Sequence, residues 1–317
     1  KDVQLWDVSV QKQIEVSGSD SCKLVQLMTC RDLSGAKALK CYYVPLIDGN
    51  GNMINDPLVL KIEDTKWRIC IADSDVLLYA KGIADSMKLN VKIHETKIST
   101  LAVQGPKSLD VMKNIFGDEI GKLKFFNFNY FKFEDIDFMI SKSGFSKQSG
   151  YEIYVENSKS GLKLYDYIIK IGNEFNLKPG CPNVIERIEG ALLSYGNDMD
   201  NNDNPFECGL DKYVNLESNI EFLGKKALQK VKLEGIKRKL MGVKINEKNI
   251  NLTSELKLVD ENKETIGYLR SAVYSPRFKM IVGIAMINLE YCKDSQNFKT
   301  NINNKEVSGS VCSLPMN

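Results

Sequence analysis

Histidine is almost absent from this chain: one stands among 317 residues, beside eight cysteines. The cysteines, at 22, 30, 41, 70, 181, 208, 292 and 312, include no Cys-x-x-Cys pair, so a zinc site would need three of them to converge in space. No apolar run is long enough to span a membrane, and no secretory signal opens the sequence. A reduced cytoplasmic compartment is therefore the default expectation. Charge of one sign is also missing, since 43 basic residues face 41 acidic ones for a net charge of +2. Nucleic-acid binding needs a concentrated basic face, and the basic residues here are interspersed with acidic ones. The chain carries no dinucleotide fingerprint, because Gly49-Asn50-Gly51 is not followed by the third glycine. Internal repeats and low-complexity segments are absent as well.

What is present is a hydrophobic content of 43%, ordinary for a folded protein, in a length with room for two or three packed units. Alternating stretches predict strands over 39–47, 53–62, 67–72, 91–97 and 100–104, and helical spacing predicts helices over 22–33, 75–88 and 106–116. The chain enters on a strand-like segment over 3–10. A second set follows: a Phe-rich strand pair over 124–141, a strand over 150–155 and a helix over about 160–175. Strands and helices alternate without a parallel-sheet rhythm, which favours an α+β class. The Phe run alternates with polar residues and reads as half-buried strand rather than as a stacking platform for bases. The basic stretch 230–239 reads as a solvated linker, after which short strands with turns predict a small C-terminal β-barrel.

Residues 186–210, ERIEGALLSYGNDMDNNDNPFECGL, are the most informative stretch. Ile185, Ile188, Leu192 and Tyr195 recur at helical spacing, Pro182 suits a first turn and Gly196 a stop, so an amphipathic helix is expected to run into a long polar loop. A calcium loop of the helix-loop-helix kind needs Gly at its sixth position and Glu at its twelfth. This chain has Asp203 and Gly209 there, which excludes it.

Three blocks in this stretch, Arg187-Ile188-Glu189, Tyr195 through Asp200 and Pro205 through Leu210, resemble in order the signature of the folate-dependent aminomethyltransferase family, the T-protein of the glycine cleavage system and its relatives. The resemblance covers nearly the whole chain. It implies a T-protein-like fold with a folate-binding α+β core over 1–229 and a C-terminal β-barrel over 236–317. It also implies several dozen further residues upstream of Lys1.

By the same resemblance, Asp56 in Gly51-Asn-Met-Ile-Asn-Asp-Pro-Leu-Val59 matches the family aspartate that lies against the reactive pterin nitrogens. The residues themselves agree that Asp56 is unusual: Pro57 biases it to extended backbone and cannot donate to a ladder, placing the carboxylate at a bulge or edge. Tyr43 reads either as a core tyrosine or as the family tyrosine that faces folate. In the strand over 150–155, alternation puts Glu152 and Tyr154 on one face and Ile153 on the other. A carboxylate on a buried face needs partners, and the family's matching glutamate accepts donors from the amino-pyrimidine edge of the pterin. Phe145, Tyr154, Tyr43 and Trp6 are the rings available to hold a cation. Arg187 and Glu189 read as structural, paired with each other or capping the helix.

Several family positions are altered. Asn55 replaces the first aspartate of a pair, Lys147-Gln148-Ser149-Gly150 replaces Gly-Glu-Asp-Gly, Asn183 replaces an arginine, and a folate-contacting asparagine is replaced by Ala72 or Asp73. Together with the stretches WDVSVQKQIEVSGSDS at 6–21, NDPLVLK at 55–61 and GCPNVIERIE at 180–189, these departures resemble the sulfonium-demethylating members of the family, which pass a methyl group from dimethylsulfoniopropionate to tetrahydrofolate. The expectation is thus an enzyme with tetrahydrofolate as co-substrate, small-molecule partners, no metal, no nucleic acid and no membrane, with room for a homo-oligomer. The alternatives are an aminomethyltransferase of glycine cleavage and a non-catalytic folate-binding relative. The latter's Lys-Gly-Cys-Tyr motif is missing from the equivalent stretch Leu216–Lys225.

Overall fold

Period-two alternation builds the sheets that organise the chain, beginning with largely buried strands. In the computed structural model, which describes residues 2–71 and 74–316, the chain opens with β1 (Val3–Asp7), β2 (Lys12–Ser17), α1 (Ser21–Met28) and β3 (Lys40–Tyr43). A hairpin of β4 (Leu46–Ile47) and β5 (Met53–Asn55) follows, then β6 (Leu58–Glu63), β7 (Lys66–Ile71), α2 (Val76–Ser86), β8 (Lys92–Glu95) and β9 (Ser99–Gln104). Next come α3 (Ser108–Phe116), β10 (Phe128–Phe133), β11 (Ile136–Ser141), β12 (Gly150–Val155), α4 (Ser158–Gly172) and β13 (Leu177–Gly180). Lys1–Val44 and Asn55–Pro182 form one unit; Pro45–Ile54 and Asn183–Asn317 form the other. The expected replacement at Ala72 or Asp73 lies outside the described residues.

The first unit holds two sheets, ordered β10-β11-β12-β9-β1-β13 and β3-β6-β7-β2-β8. All their pairings are antiparallel except β1 with β13. On the six-stranded sheet, Leu5, Val103, Ile140, Tyr151 and Ile153 pack into one core with Val111, Met112, Leu164 and Ile168 of α3 and α4. The opposite face meets the five-stranded sheet through Phe128, Met139 and Tyr154 against Cys41, Leu60, Ile62 and Cys70. The outer face of the five-stranded sheet carries Trp67, whose indole donates to Cys22 of α1 at 3.3 Å. Two sheets thus lie face to face with helices outside, an α+β arrangement as expected.

The second unit contains α5 (Val184–Glu189), α6 (Lys225–Glu234) and six strands: β14 (Arg238–Ile245), β15 (Leu256–Val259), β16 (Thr265–Ser275), β17 (Met280–Asn288), β18 (Asn297–Ile302) and β19 (Lys305–Cys312). The strands close into a barrel in the order β14-β17-β16-β15-β18-β19, filled by Val243, Leu258, Leu269, Ile281 and Phe298. The stretch 230–239 is not a linker. It is the end of α6 and the start of β14, because Leu228 gives the basic helix a buried contact while Lys230 and Leu233 stay in water. The entering strand segment is shorter than expected: Asp7 turns the chain by accepting from the backbone of Ser9, and β2 begins five residues later.

The signature helix also departs from expectation. Asn183 caps it by accepting from the Ile185 amide at 2.9 Å, and it stops at Glu189 rather than near Gly196. Ala191 takes a left-handed φ of 54°, while the Leu192 amide bonds to the Arg187 carbonyl and the Ala191 amide to that of Ile188. This is a Schellman stop made with alanine. Leu192 and Tyr195 therefore leave the helix, and Tyr195 donates instead to the Met53 carbonyl at 3.4 Å.

The polar loop that follows is fastened by buried ion pairs. Asp203, fully buried, accepts from Arg270 at 2.5 Å and Arg238 at 3.0 Å, and Arg238 also donates to Glu207 at 3.1 Å. Removing one partner of such a pair strands the others without water. Asp203→Ala is expected to cost about 3–5 kcal/mol, read as a lowered urea midpoint at unchanged m-value. A loss below about 1 kcal/mol would show that the arginines find other partners.

Candidate functional site

The inner faces of the two facing sheets carry the polar side chains that strand alternation buries. Across the six-stranded sheet, Trp6 stands opposite Ala102, Ala102 opposite Glu152, and Glu152 opposite Ser141, so these four share one face. Across the five-stranded sheet, Tyr43 stands opposite Leu58 and Leu58 opposite Cys70. Glu152 lies within electrostatic reach of Cys41 and Cys70, which brings the two rows together.

Glu152 is 9% exposed, and burial pushes its carboxyl above the usual carboxylate range while a hydrogen bond from Ser143 opposes the rise. Ser143 donates to Oε2. Ser143 is held in turn by its neighbours: its carbonyl accepts from Gln104 at 2.9 Å, and Ser146 donates to Gln104 Oε1 at 2.7 Å. Glycine is required around that amide, since a Cβ at Gly144 or Gly150 would lie 2.1 or 2.2 Å from Gln104. The altered turn Lys147-Gln148-Ser149-Gly150 thus belongs to a loop clamped at its base, with the Ser149 carbonyl accepting from the Gly105 amide at 2.8 Å.

Asp56 sits in the two-residue break between β5 and β6, half-buried, as Pro57 requires. The Tyr43 hydroxyl donates to its Oδ2 at 2.8 Å, so the structure joins these two sequence candidates directly. The altered Asn55 is 3% exposed and ties the break in place, accepting from the Asp56 amide at 3.0 Å and donating to Ser74 at 2.8 Å.

The other expected residues fall in different settings. Phe145 is 38% exposed on the loop between β11 and β12. Tyr154 is buried among Cys41, Cys70 and Met139, with its hydroxyl 3.2 Å from Ser141. Trp6 is buried, its indole donating to Gln4 at 2.8 Å. Arg187 and Glu189 are structural, but they do not pair with each other: Arg187 donates to buried Asp198 at 2.5 Å and to Ser271 at 3.1 Å, while Glu189 accepts from Ser275 at 2.6 Å. They point to opposite partners because residues two apart on a helix do not share a face.

Sequence reasoning passed over Ser141, Ser143 and Gln104. The signal was partial: Ser141, at the end of β11, stands opposite Glu152 and shares its face, whereas Ser143 lies two residues beyond the strand, where alternation does not apply. Neither cysteine near Glu152 is an activated nucleophile. Burial pushes the Cys70 thiol up to about 12 and Cys41 well above its ordinary value, so both stay protonated. Among the described residues no cluster of three or more His, Cys, Asp or Glu could hold a metal ion. The arrangement offers hydrogen-bond acceptors and negative charge, which suits holding a ligand's N–H donors and a developing cation.

Residues 1–218 match the family described as the GCVT N-terminal domain, and residues 238–316 match the glycine cleavage T-protein C-terminal barrel domain. The dimethylsulfoniopropionate demethylase DmdA of Ruegeria pomeroyi is 37% identical over 286 residues, covering 90% of this chain and 78% of that protein. An aminomethyltransferase of Thermoanaerobacter pseudethanolicus is 30% identical over 316 residues, covering 98% and 84%. The fold also matches the crystal structure of the glycine cleavage system aminomethyltransferase T from Bartonella henselae, with a TM-score of 0.87 at 20% identity over 99% of this chain and 86% of that one. The signature blocks, the α+β unit and the closed barrel together make this chain a member of the glycine cleavage T-protein family of folate-dependent transferases.

Proposed function

We propose that this enzyme takes a methyl group from the sulfonium of dimethylsulfoniopropionate and gives it to tetrahydrofolate, yielding methylthiopropionate and 5-methyltetrahydrofolate. The observation that carries a pterin site is Glu152: a carboxylate on a buried sheet face, fixed through one oxygen, in the same unit as the Tyr43–Asp56 pair. The 37% identity to a dimethylsulfoniopropionate demethylase favours the sulfonium donor over others in the family. In this reading the folate-binding core comprises 1–229, with 236–317 as the barrel domain.

Methyl transfer forms a C–N bond at pterin N5 as the S–C bond breaks, with its electron pair returning to sulfur. Positive charge thus moves from sulfur to nitrogen, N5 then releases its own proton to solvent to leave the neutral tertiary amine, and no protein nucleophile is needed. The protein's task is alignment and electrostatics. Asp56, oriented by Tyr43, supplies negative charge where cation character develops. Glu152 binds the amino-pyrimidine edge. Phe145 presents its exposed ring to the sulfonium, a contact worth roughly 0.5–2 kcal/mol. Tyr154 contributes through its hydroxyl rather than by its enclosed ring.

A second reading, aminomethyl transfer in glycine cleavage, is favoured by the 30% identity to an aminomethyltransferase across 98% of the chain. It uses the same folate site and differs in the donor. Incubating the purified protein with tetrahydrofolate and dimethylsulfoniopropionate separates them: both products are expected, and the absence of both removes the leading reading.

Asp56→Asn keeps the shape and the Tyr43 contact but removes the charge. It is expected to lower kcat on the order of 10²-fold while leaving tetrahydrofolate affinity within several-fold. Near-normal turnover, or a large solvent isotope effect on single-turnover methyl transfer, would refute a purely electrostatic role.

Because the pterin edge is held alike in ground and transition states, Glu152→Gln should raise the KM for tetrahydrofolate more than it lowers kcat. Equal falls in kcat and kcat/KM with unchanged affinity would contradict that role. A neutral thioether should also bind worse than the sulfonium; equal competition by methylthiopropionate would discount the aromatic contact.

A further inference from the structure

Giving Glu152 the pterin edge leaves open how a carboxylate taken out of water is kept charged and aimed. The geometry answers with a chain of hydroxyls. Ser143 donates to Glu152 Oε2, Ser141 Oγ lies 2.5 Å from Ser143 Oγ, and the Tyr154 hydroxyl lies 3.2 Å from Ser141 Oγ. All three hydroxyl residues are buried, at 0%, 3% and 2% exposure for Ser141, Ser143 and Tyr154. Among the described residues, Oε1 of Glu152 accepts no hydrogen bond.

We infer that Ser143 and Ser141 are positioning residues for folate binding: the chain Tyr154–Ser141–Ser143 fixes Oε2 of Glu152, keeps the carboxyl ionised and reserves Oε1 for the ligand's donors, so that affinity is lost toward acid pH. The inference rests on the proposed reading of Glu152 as the pterin ligand.

The chain has a direction because each hydroxyl donates one proton. With Glu152 ionised, Tyr154 donates to Ser141, Ser141 to Ser143 and Ser143 to the carboxylate. If Glu152 is protonated and donates to Ser143, the order reverses and a ligand N–H at Oε1 loses its charged partner.

The titratable groups facing Glu152 are Cys41 on β3, Cys70 on β7 and Tyr154 on its own strand. Burial raises all three, Cys70 to about 12, so they remain neutral while Glu152 titrates. Arg68, which acts on Cys70, is drawn to Glu15 and Glu156, at 3.4 and 3.5 Å.

The sign follows from the opposition already seen at Glu152, where burial raises the carboxyl and Ser143 lowers it. Binding to the ionised form is complete above the free-enzyme midpoint and falls about tenfold per pH unit below it. Removing Ser143 leaves burial unopposed and moves that midpoint up.

Anaerobic calorimetry of tetrahydrofolate binding across neutral and mildly acidic pH tests this in the wild-type protein and in Ser143→Ala, Ser143→Thr and Glu152→Gln. Ser143→Ala is expected to shift the midpoint upward by about one pH unit, with about a tenfold loss of affinity below it. Ser143→Thr should restore both, and Glu152→Gln should bind weakly with that pH dependence gone. If Ser143→Ala only lowers the melting temperature and keeps the wild-type midpoint, the serine is merely structural and the inference fails, while a weakened Glu152→Gln still upholds the folate site. If Glu152→Gln binds with wild-type affinity and pH dependence, the reading of Glu152 itself fails.

Discussion

A carboxylate removed from water is the constraint around which the first unit is arranged. Strand β12 must bury both faces because helices cover one side of its sheet and a second sheet covers the other. Glu152 therefore has little solvent to fall back on, and an uncompensated charge there would be costly. Its compensation reaches outward in steps. Ser143 satisfies one oxygen, Gln104 holds Ser143 by its carbonyl, and glycines at 144 and 150 leave room for Gln104. The loop between β11 and β12 is thereby fixed at its base, by the Gln104 side chain and by the Gly105 amide that donates to Ser149.

The second unit solves the same problem with opposite charges. Asp198 and Asp203 are fully buried and are held by Arg187 in one case and by Arg238 and Arg270 in the other. These pairs lie in and around the blocks that make the family recognisable. The most diagnostic residues of the chain thus fasten a loop to its own unit, whereas the proposed chemistry depends on Asp56 and Glu152, whose local sequences are far less distinctive. Strong sequence signatures arise where several charges must be buried together, because losing any one partner strands the rest.

That asymmetry explains what could be read before the structure. Strand alternation correctly put Glu152 and Tyr154 on one face and Ile153 on the other, whereas the single strand expected over 53–62, with Asp56 at a bulge or edge, divides into β5 and β6 at Asp56 and Pro57. Element boundaries failed where a local stop overrode periodicity. Ile188, Leu192 and Tyr195 have helical spacing, yet Ala191 in a left-handed conformation ends the helix first, and nothing in an alanine announces that. The basic run before the barrel hid a helix because Leu228 is its single buried residue. Pairings between distant segments, such as Arg187 with Asp198 and Ser271, depend on tertiary register that spacing along one helix does not contain.

Asn55 shows how a small departure can tune such a site without rebuilding it. An aspartate there would stand beside Asp56, two carboxylates in adjacent positions at a place that is 3% exposed. Like charges so close oppose each other's ionisation. The amide instead accepts from the Asp56 backbone and donates to Ser74, whereas a carboxylate could only accept, so the Ser74 hydroxyl would have to turn and donate to it. A single carboxylate is left at the break, accepting from Tyr43. Under the proposed reading the donor carries a single permanent cation and loses it as the methyl group moves, so one fixed anion is the matching requirement. A second carboxylate would add desolvation cost and favour a shared proton, weakening the charge that the transition state needs.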